Sequence, residues 1–246
     1  VSTLFTAPAR DDESKTLSVE VYTRLRSDLI AGRLNPGRRL PMRQLSAHYG
    51  VGVAPLREAL SRLTSERLVS FEENRGYIVA PVSLDDLNDL CRLRTDLSCK
   101  ALRLSIEKGD EYWESEVLAA VHRLERAQLP ASLDDQETID DWERRHSHFH
   151  RSLLAACGSP WLMHFCDMLS DQFQRYRRVI IVEISASQSL VAMVREQHRT
   201  VAEATIERDA DRASEILARH FQGSVEIVRE NMGAFGQFES GKRRRG

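Results

Sequence analysis

Apolar residues recur at intervals of three and four along most of the chain. Between Val19 and Ile30 they fall at Val21, Tyr22, Leu25 and Leu29, the period of one helix face. Gly32-Arg33-Leu34-Asn35-Pro36-Gly37 then stops that helix with turn residues. A short helix follows with Leu45 and Tyr49 inward, then a tight turn at Gly50-Val51-Gly52, then a helix through Leu56, Ala59, Leu60 and Leu63. Pro55 suits the first turn of this last helix, where a missing N–H costs nothing. The period next changes to two. Leu68-Val69-Ser70-Phe71-Glu72 and Tyr77-Ile78-Val79-Ala80 flank Glu73-Asn74-Arg75-Gly76, which predicts a β-hairpin. Helix, helix–turn–helix and hairpin together read as a winged helix-turn-helix, ended by Pro81. From Leu84 onward only the helical period remains. It predicts helices at 84–108, 111–128, 136–157, 160–182, 189–208 and 210–232. Gly109-Asp110, Leu129-Pro130-Ala131-Ser132, Gly158-Ser159-Pro160 and Ser185-Ala186-Ser187 separate them.

The expected fold class is therefore mainly α, a winged helix-turn-helix followed by an all-α ligand-binding bundle of six helices, or seven. Six amphipathic helices can enclose one core and a pocket. The expected organisation is a flexible arm over 1–14, the winged domain over 15–81, the helical domain over 82–238 and a basic tail over 239–246. A length of 246 residues suits two domains. With 41% hydrophobic and 29% charged residues the balance is globular, and 12 Gly and 7 Pro favour helix over strand. Apolar runs such as Val179-Ile180-Ile181-Val182 are far below the roughly 20 residues of a membrane span. The first ten residues lack a signal pattern, so a cytoplasmic protein with no membrane partner is expected. Cys91, Cys99, Cys157 and Cys166 form no CxxC pair and read as reduced, buried thiols, which disfavours disulfide scaffolds and zinc ribbons.

The net charge of −2 hides an asymmetry. Residues 15–81 hold 11 Lys and Arg against 6 Asp and Glu, whereas 82–238 hold 19 against 27. A basic N-terminal third on an acidic body points to an anionic polymer meeting one end only. In a helix-turn-helix the second helix enters the major groove and its first residues reach base edges. Here these are Val53, Ala54, Pro55 and Arg57. The planar fork of Arg57 can bind a phosphate or a guanine edge, and Arg43 on the preceding helix can reach the backbone or a base. At the wing tip, Gly76 lets the backbone approach the minor groove and Arg75 suits its negative potential. Arg38 and Arg39 are phosphate candidates.

Ile30-Ala31-Gly32-Arg33-Leu34-Asn35-Pro36-Gly37, Leu40-Pro41, Leu45-Ser46, Tyr49-Gly50-Val51, Pro55-Leu56-Arg57-Glu58-Ala59-Leu60, Leu68-Val69 and Arg75-Gly76-Tyr77 together resemble the DNA-binding domain of the GntR family of bacterial transcription regulators. The resemblance implies a homodimer on a short palindromic operator. Many members carry Ser-Arg before the Thr-Pro of the recognition helix, where this chain has Gly52-Val53 before Ala54-Pro55. A base-reading Arg or a capping Ser is missing, which shifts specificity toward Arg43, Arg57 and the wing.

His146 and His150 are four residues apart on one predicted helix, so their imidazoles share a face and are close enough for one metal ion. His148 points away. His198 and His220 fall on the fifth and sixth helices of the bundle, and packing around one cavity would bring four imidazoles together. On spacing alone, ordinary surface or core histidines remain the simpler reading. The body resembles the helical ligand domain of the FadR subfamily, and that resemblance implies an effector-binding and dimerisation domain with a metal held by an Asp-x-x-x-His pair and two later histidines. His150, His198 and His220 match those histidines, while His146 occupies the Asp position. The implied cofactor is a divalent metal ion, zinc first, with nickel or another transition metal as alternatives. Arg94 matches a family arginine that pairs with an effector carboxylate, and Ser98 replaces a common Glu.

Arg175, Tyr176, Arg177 and Arg178 form a basic–aromatic cluster from which Arg175 or Tyr176 is expected to turn inward to a second carboxylate. Trp142 and Trp161 read as core or interface residues. Trp142-Glu143-Arg144-Arg145-His146-Ser147-His148-Phe149-His150, Cys157-Gly158-Ser159 and Arg175-Tyr176-Arg177 are similar to the CsiR type of the family. That resemblance implies a repressor whose effector is glutarate. The expected function is thus a DNA-binding regulator answering to a small carboxylate. A hydroxy acid or sugar acid is the alternative effector, and a metal-dependent hydrolase the remote alternative. There is no HExxH motif and no clearly placed base, so no enzyme is expected. The tail Lys242-Arg243-Arg244-Arg245 reads as a loose end.

Overall fold

The computed structural model describes residues 10–231, in two compact units divided between Pro81 and Val82. The expected tail over 239–246 lies outside the described residues, as do residues 1–9 of the expected arm. In the first unit, α1 (Arg10–Ile30), α2 (Met42–Tyr49) and α3 (Val53–Ser65) precede β1 (Val69–Glu72) and β2 (Gly76–Val79). Helix α1 begins inside the segment expected as a loose arm. Between Arg10 and Val19 there is neither Gly nor Pro to interrupt the helix. Leu25 and Leu29 of α1 pack with Leu56, Leu60 and Leu63 of α3 in one core. The two strands pair antiparallel with Val69 opposite Val79 and Glu72 opposite Gly76. The three-residue tip needs left-handed backbone at its end, and Gly76 supplies it at φ +75°. Residues 37–40 run along the other edge of β2, with Leu40 N–H donating to the Tyr77 carbonyl at 2.8 Å.

The second unit is helical: α4 (Leu84–Lys108), α5 (Glu111–Glu125), α6 (Gln136–Leu154), α7 (Pro160–Ala186), α8 (Gln188–Ile206) and α9 (Ala210–Asn231). Most of these helices start on a side-chain cap. Ser83, Asp110, Asp135, Ser159 and Ser187 accept from the backbone N–H three residues on, each satisfying one orphan donor. Gly109 is glycine because a Cβ there would stand 2.0 Å from the Trp113 ring, and that ring ties α5 to α6 by donating Nε1–H to the Ser152 carbonyl at 2.8 Å. Helix α4 packs on α7 and α9, α8 on α9, and α5 on α6. Helices α5 and α6 end three residues before their expected limits, and α7 runs four beyond. Ile181 and Ile184 of α7 are buried, so burial of its apolar face carries the helix through Ser185, whose hydroxyl bonds back to the Ile181 carbonyl. No described helix is long and apolar enough to cross a membrane.

Candidate functional site

Helix α6 is amphipathic, and its buried face carries Ile139, Trp142, Glu143, His146, Phe149 and His150. His146 and His150 stand one turn apart on that face, with their Nε2 atoms 3.1 Å from each other. Helix α8 brings His198 and α9 brings His220, with their Nε2 atoms 3.3 Å apart. All four rings are buried, and one ligand atom from each lies within 4.8 Å of the others. Four nitrogens about 2.0–2.1 Å from a tetrahedral zinc would be about 3.3 Å apart, close to both contacts. His220 donates Nδ1–H to Gln197 Oε1 at 2.9 Å, which turns its Nε2 lone pair toward the cluster. Burial holds all four imidazoles neutral. His198 falls to about 3, and the other three lie well below their ordinary value. The positive charge of Arg177 adds to burial at each ring. Neutral, mutually facing imidazoles are the protonation state that a transition-metal ion requires, so this donor set fits one.

Two buried arginines flank the cluster. Arg177 on α7 grips Glu143 on α6: Nε donates at 3.0 and 3.1 Å, and Nη2 at 2.5 Å. Among the described residues Arg94 on α4 has no carboxylate partner. Its guanidinium stacks 3.7 Å over Phe221 and 4.7 Å from the centre of Phe173, and its buried Nη1 has no hydrogen-bond partner among them. Burial, with Arg177 adding repulsion, lowers its pKa to about 9, so it stays charged at neutral pH. Arg94 and His150 both line a cavity of about 320 Å³, with Ser98, Cys166 and Phe221 beside them. That is the low end of the range for small-molecule sites. Burial raises the Cys166 thiol to about 11, so it is a neutral wall. On another face, Trp142 and His198 border an apolar cleft of about 20 Å³, room for about one water. Ligand space therefore opens on the Arg94 side.

The cavity departs from the expectation for α7. Tyr176 is buried and donates its hydroxyl to Asp86 at 2.6 Å, while Arg175 donates to Gln172. Neither lines the cavity. Cys166, Ser170, Phe173 and Arg177, spaced four, three and four, form the inner stripe of α7, and residues 175 and 176 are rotated away from it. The Arg178 side chain lies outside the described residues. Trp142 stacks on the His146 ring with centroids 4.5 Å apart. Trp161 is 74% exposed and stands outside the core, because position 161 opens the α7 helix on its solvent side. His148 leaves the cluster to pair with Glu116 at 2.8 Å.

On the first unit, Arg43 of α2 and Arg57 of α3 are exposed, and Val53 at the start of α3 is half exposed. Helix α3 starts at Gly52 with no side-chain cap, as the missing Ser implies. Arg75 is exposed on the wing and pairs with Glu72 at 2.8 Å. Arg39 donates twice to the Arg75 carbonyl, at 3.1 and 2.9 Å, so it braces the wing tip.

A family model for bacterial regulatory proteins of the gntR family matches residues 17–79, and one for the FCD domain matches 89–223, more than half of the chain. The repressor GlaR of Escherichia coli is 35% identical over 215 residues, 87% of this chain and 97% of its own length. The chain belongs to the GntR family. The regulator BphR of Paraburkholderia xenovorans is 36% identical to this GntR regulator over 88% of the chain and 86% of its own length. Among solved structures, E. coli McbR/YncC shares the fold at a TM-score of 0.71 and 22% identity, over 88% of this chain and 98% of its own. This GntR regulator with an FCD domain is thus a DNA-binding transcription regulator and not an enzyme. Its histidine cluster is a set that can hold a metal ion.

Proposed function

We propose that this regulator is a cytoplasmic homodimeric repressor whose hold on a short palindromic operator is set by a small carboxylate. Glutarate is the leading candidate. The observation that carries this is a four-imidazole cluster beside a cavity lined by a buried arginine with an unpartnered donor. His146, His150, His198 and His220 would hold a divalent ion, zinc first, and such an ion when bound would take an effector carboxylate by expanding its four-nitrogen shell to a fifth ligand. Arg94 would bind the same carboxylate through its free Nη1, a charge-assisted bond strengthened by burial. The residues that hold the ion are neutral. The effector therefore meets no fixed negative charge from the ligand set, unlike in relatives with Asp at position 146. Arg57 and Arg43 would contact DNA in the major groove, with Arg75 and Gly76 reaching the minor groove from the wing.

The test begins with selection of duplexes from a random pool by the full-length protein, followed by titration of the selected operator with and without glutarate. A palindromic consensus and a loss of affinity on adding glutarate are expected. No enriched sequence, or an affinity unmoved by C2 to C6 mono- and dicarboxylates, would overturn the proposal.

A further inference from the structure

We infer that Arg151, at the mouth of the Arg94 cavity, holds the second carboxylate of a dicarboxylate effector and so sets the preference for diacids over monoacids. This rests on the effector reading above and adds to it the ligand's charge and the residue that reads it. Among the described residues two arginines line the cavity, one buried and one exposed. Arg94 is 2% exposed, whereas the Arg151 side chain is 59% exposed. Arg151 directly follows His150 on α6, and both residues line the cavity, so one wall runs from the imidazole cluster to the mouth. A ligand whose inner carboxylate reaches buried Arg94 would turn its far end toward the exposed rim, where Arg151 stands. The hydroxyls of Ser98, Ser147 and Ser170 also line the cavity and accept or donate without adding charge.

Arg151 already engages a carboxylate. Its Nε donates to Asp167 of α7 at 3.2 and 3.3 Å. Both contacts are long for a charge-assisted bond, which runs about 2.7–2.9 Å. The Asp167 side chain is 42% exposed, and an exposed pair of this kind contributes little to stability. Exchanging Asp167 for an effector carboxylate is therefore nearly isoenergetic, and Asp167 turns to water. Asp171, one turn along α7, also lines the cavity but has an interaction of its own, and His148 is engaged with Glu116. Without Arg151, Asp167 loses its cation and repels the far carboxylate of a diacid while leaving a monoacid alone.

The test is calorimetric titration of glutarate and of pentanoate into the full-length protein loaded with zinc. The proteins compared are the unsubstituted chain, Arg151→Ala and Asp167→Asn. The unsubstituted protein is expected to prefer glutarate. Arg151→Ala is expected to weaken glutarate by about tenfold or more and leave pentanoate unchanged. Asp167→Asn is expected to tighten glutarate several-fold, because it removes the carboxylate that competes for Arg151. These opposite directions would not follow from a structural role, and both positions are exposed enough to tolerate substitution. An Arg151→Ala loss equal for both acids, or no loss, overturns the assignment while the effector reading stands. So does tighter binding of 4-aminobutyrate than of glutarate, which would give the acidic mouth to an ammonium. If the unsubstituted protein binds neither acid, the effector reading itself falls.

Discussion

Four buried histidines with depressed pKa values leave a signature in the pH dependence of folding. Unfolded imidazoles take up a proton near pH 6.5, whereas His198 does so at about 3 and the other three well below their ordinary value. Between those limits the unfolded chain binds more protons than the folded one, so stability rises with pH across the window. The metal-free protein is therefore expected to be at full stability above about pH 6.5 and to lose it steadily below. Urea midpoints at pH 7.5 and pH 5 check this, and an unchanged or higher midpoint at pH 5 would contradict it. The histidine set was legible because spacing alone put two rings on one face of α6 and resemblance supplied the others. Arg177 and Gln197 were not legible as partners of the cluster. Arg177 was grouped with its neighbours Arg175 and Tyr176, but the stripe through Cys166, Ser170 and Phe173 singles it out once the inward face of α7 is known. Gln197 acts across two helices, on His220, and no local pattern marks such a pairing.

At the scale of elements, the Glu143–Arg177 pair clasps α6 to α7 beside the candidate centre. Both side chains are 4% exposed, so each charge depends on the other. Glu143→Gln is expected to cost about 3–5 kcal/mol, because it strands a buried guanidinium, and pairing Glu143→Leu with Arg177→Met is expected to recover most of that. Denaturant unfolding of the single and double variants measures both, and a double variant as unstable as the single one would contradict it. Helix positions followed from the 3.6 period and from separators such as Gly109-Asp110 and Gly158-Ser159-Pro160, in which Asp110 and Ser159 prove to cap the helices that follow. Helix ends followed less well. Helix α7 outran its expected limit because Ile181 and Ile184 found tertiary burial, and α1 began early, inside a stretch whose composition alone read as loose.

At the scale of the whole molecule, the proposed switch needs two chemistries that fail separately. Arg57→Ala is expected to abolish operator binding and leave glutarate binding intact, since Arg57 belongs to the DNA-reading unit and the cavity to the other. Gel shift and calorimetry on one preparation check both, and an operator bound as tightly as before would remove Arg57 from the interface. Coupling between effector and operator requires little energy, about 1.4 kcal/mol for a tenfold change in affinity. The mainly α class and the winged N-terminal fold were legible because turn chemistry and a change of period mark them in the chain. The most direct measurement is the affinity of a fluorescent selected operator for the zinc-loaded and the chelator-stripped protein, each titrated with glutarate. Glutarate is expected to lower operator affinity by about tenfold or more in the loaded protein and to have little effect in the stripped one. An equal response in both, or none in the loaded protein, would contradict a carboxylate switch built on the four histidines.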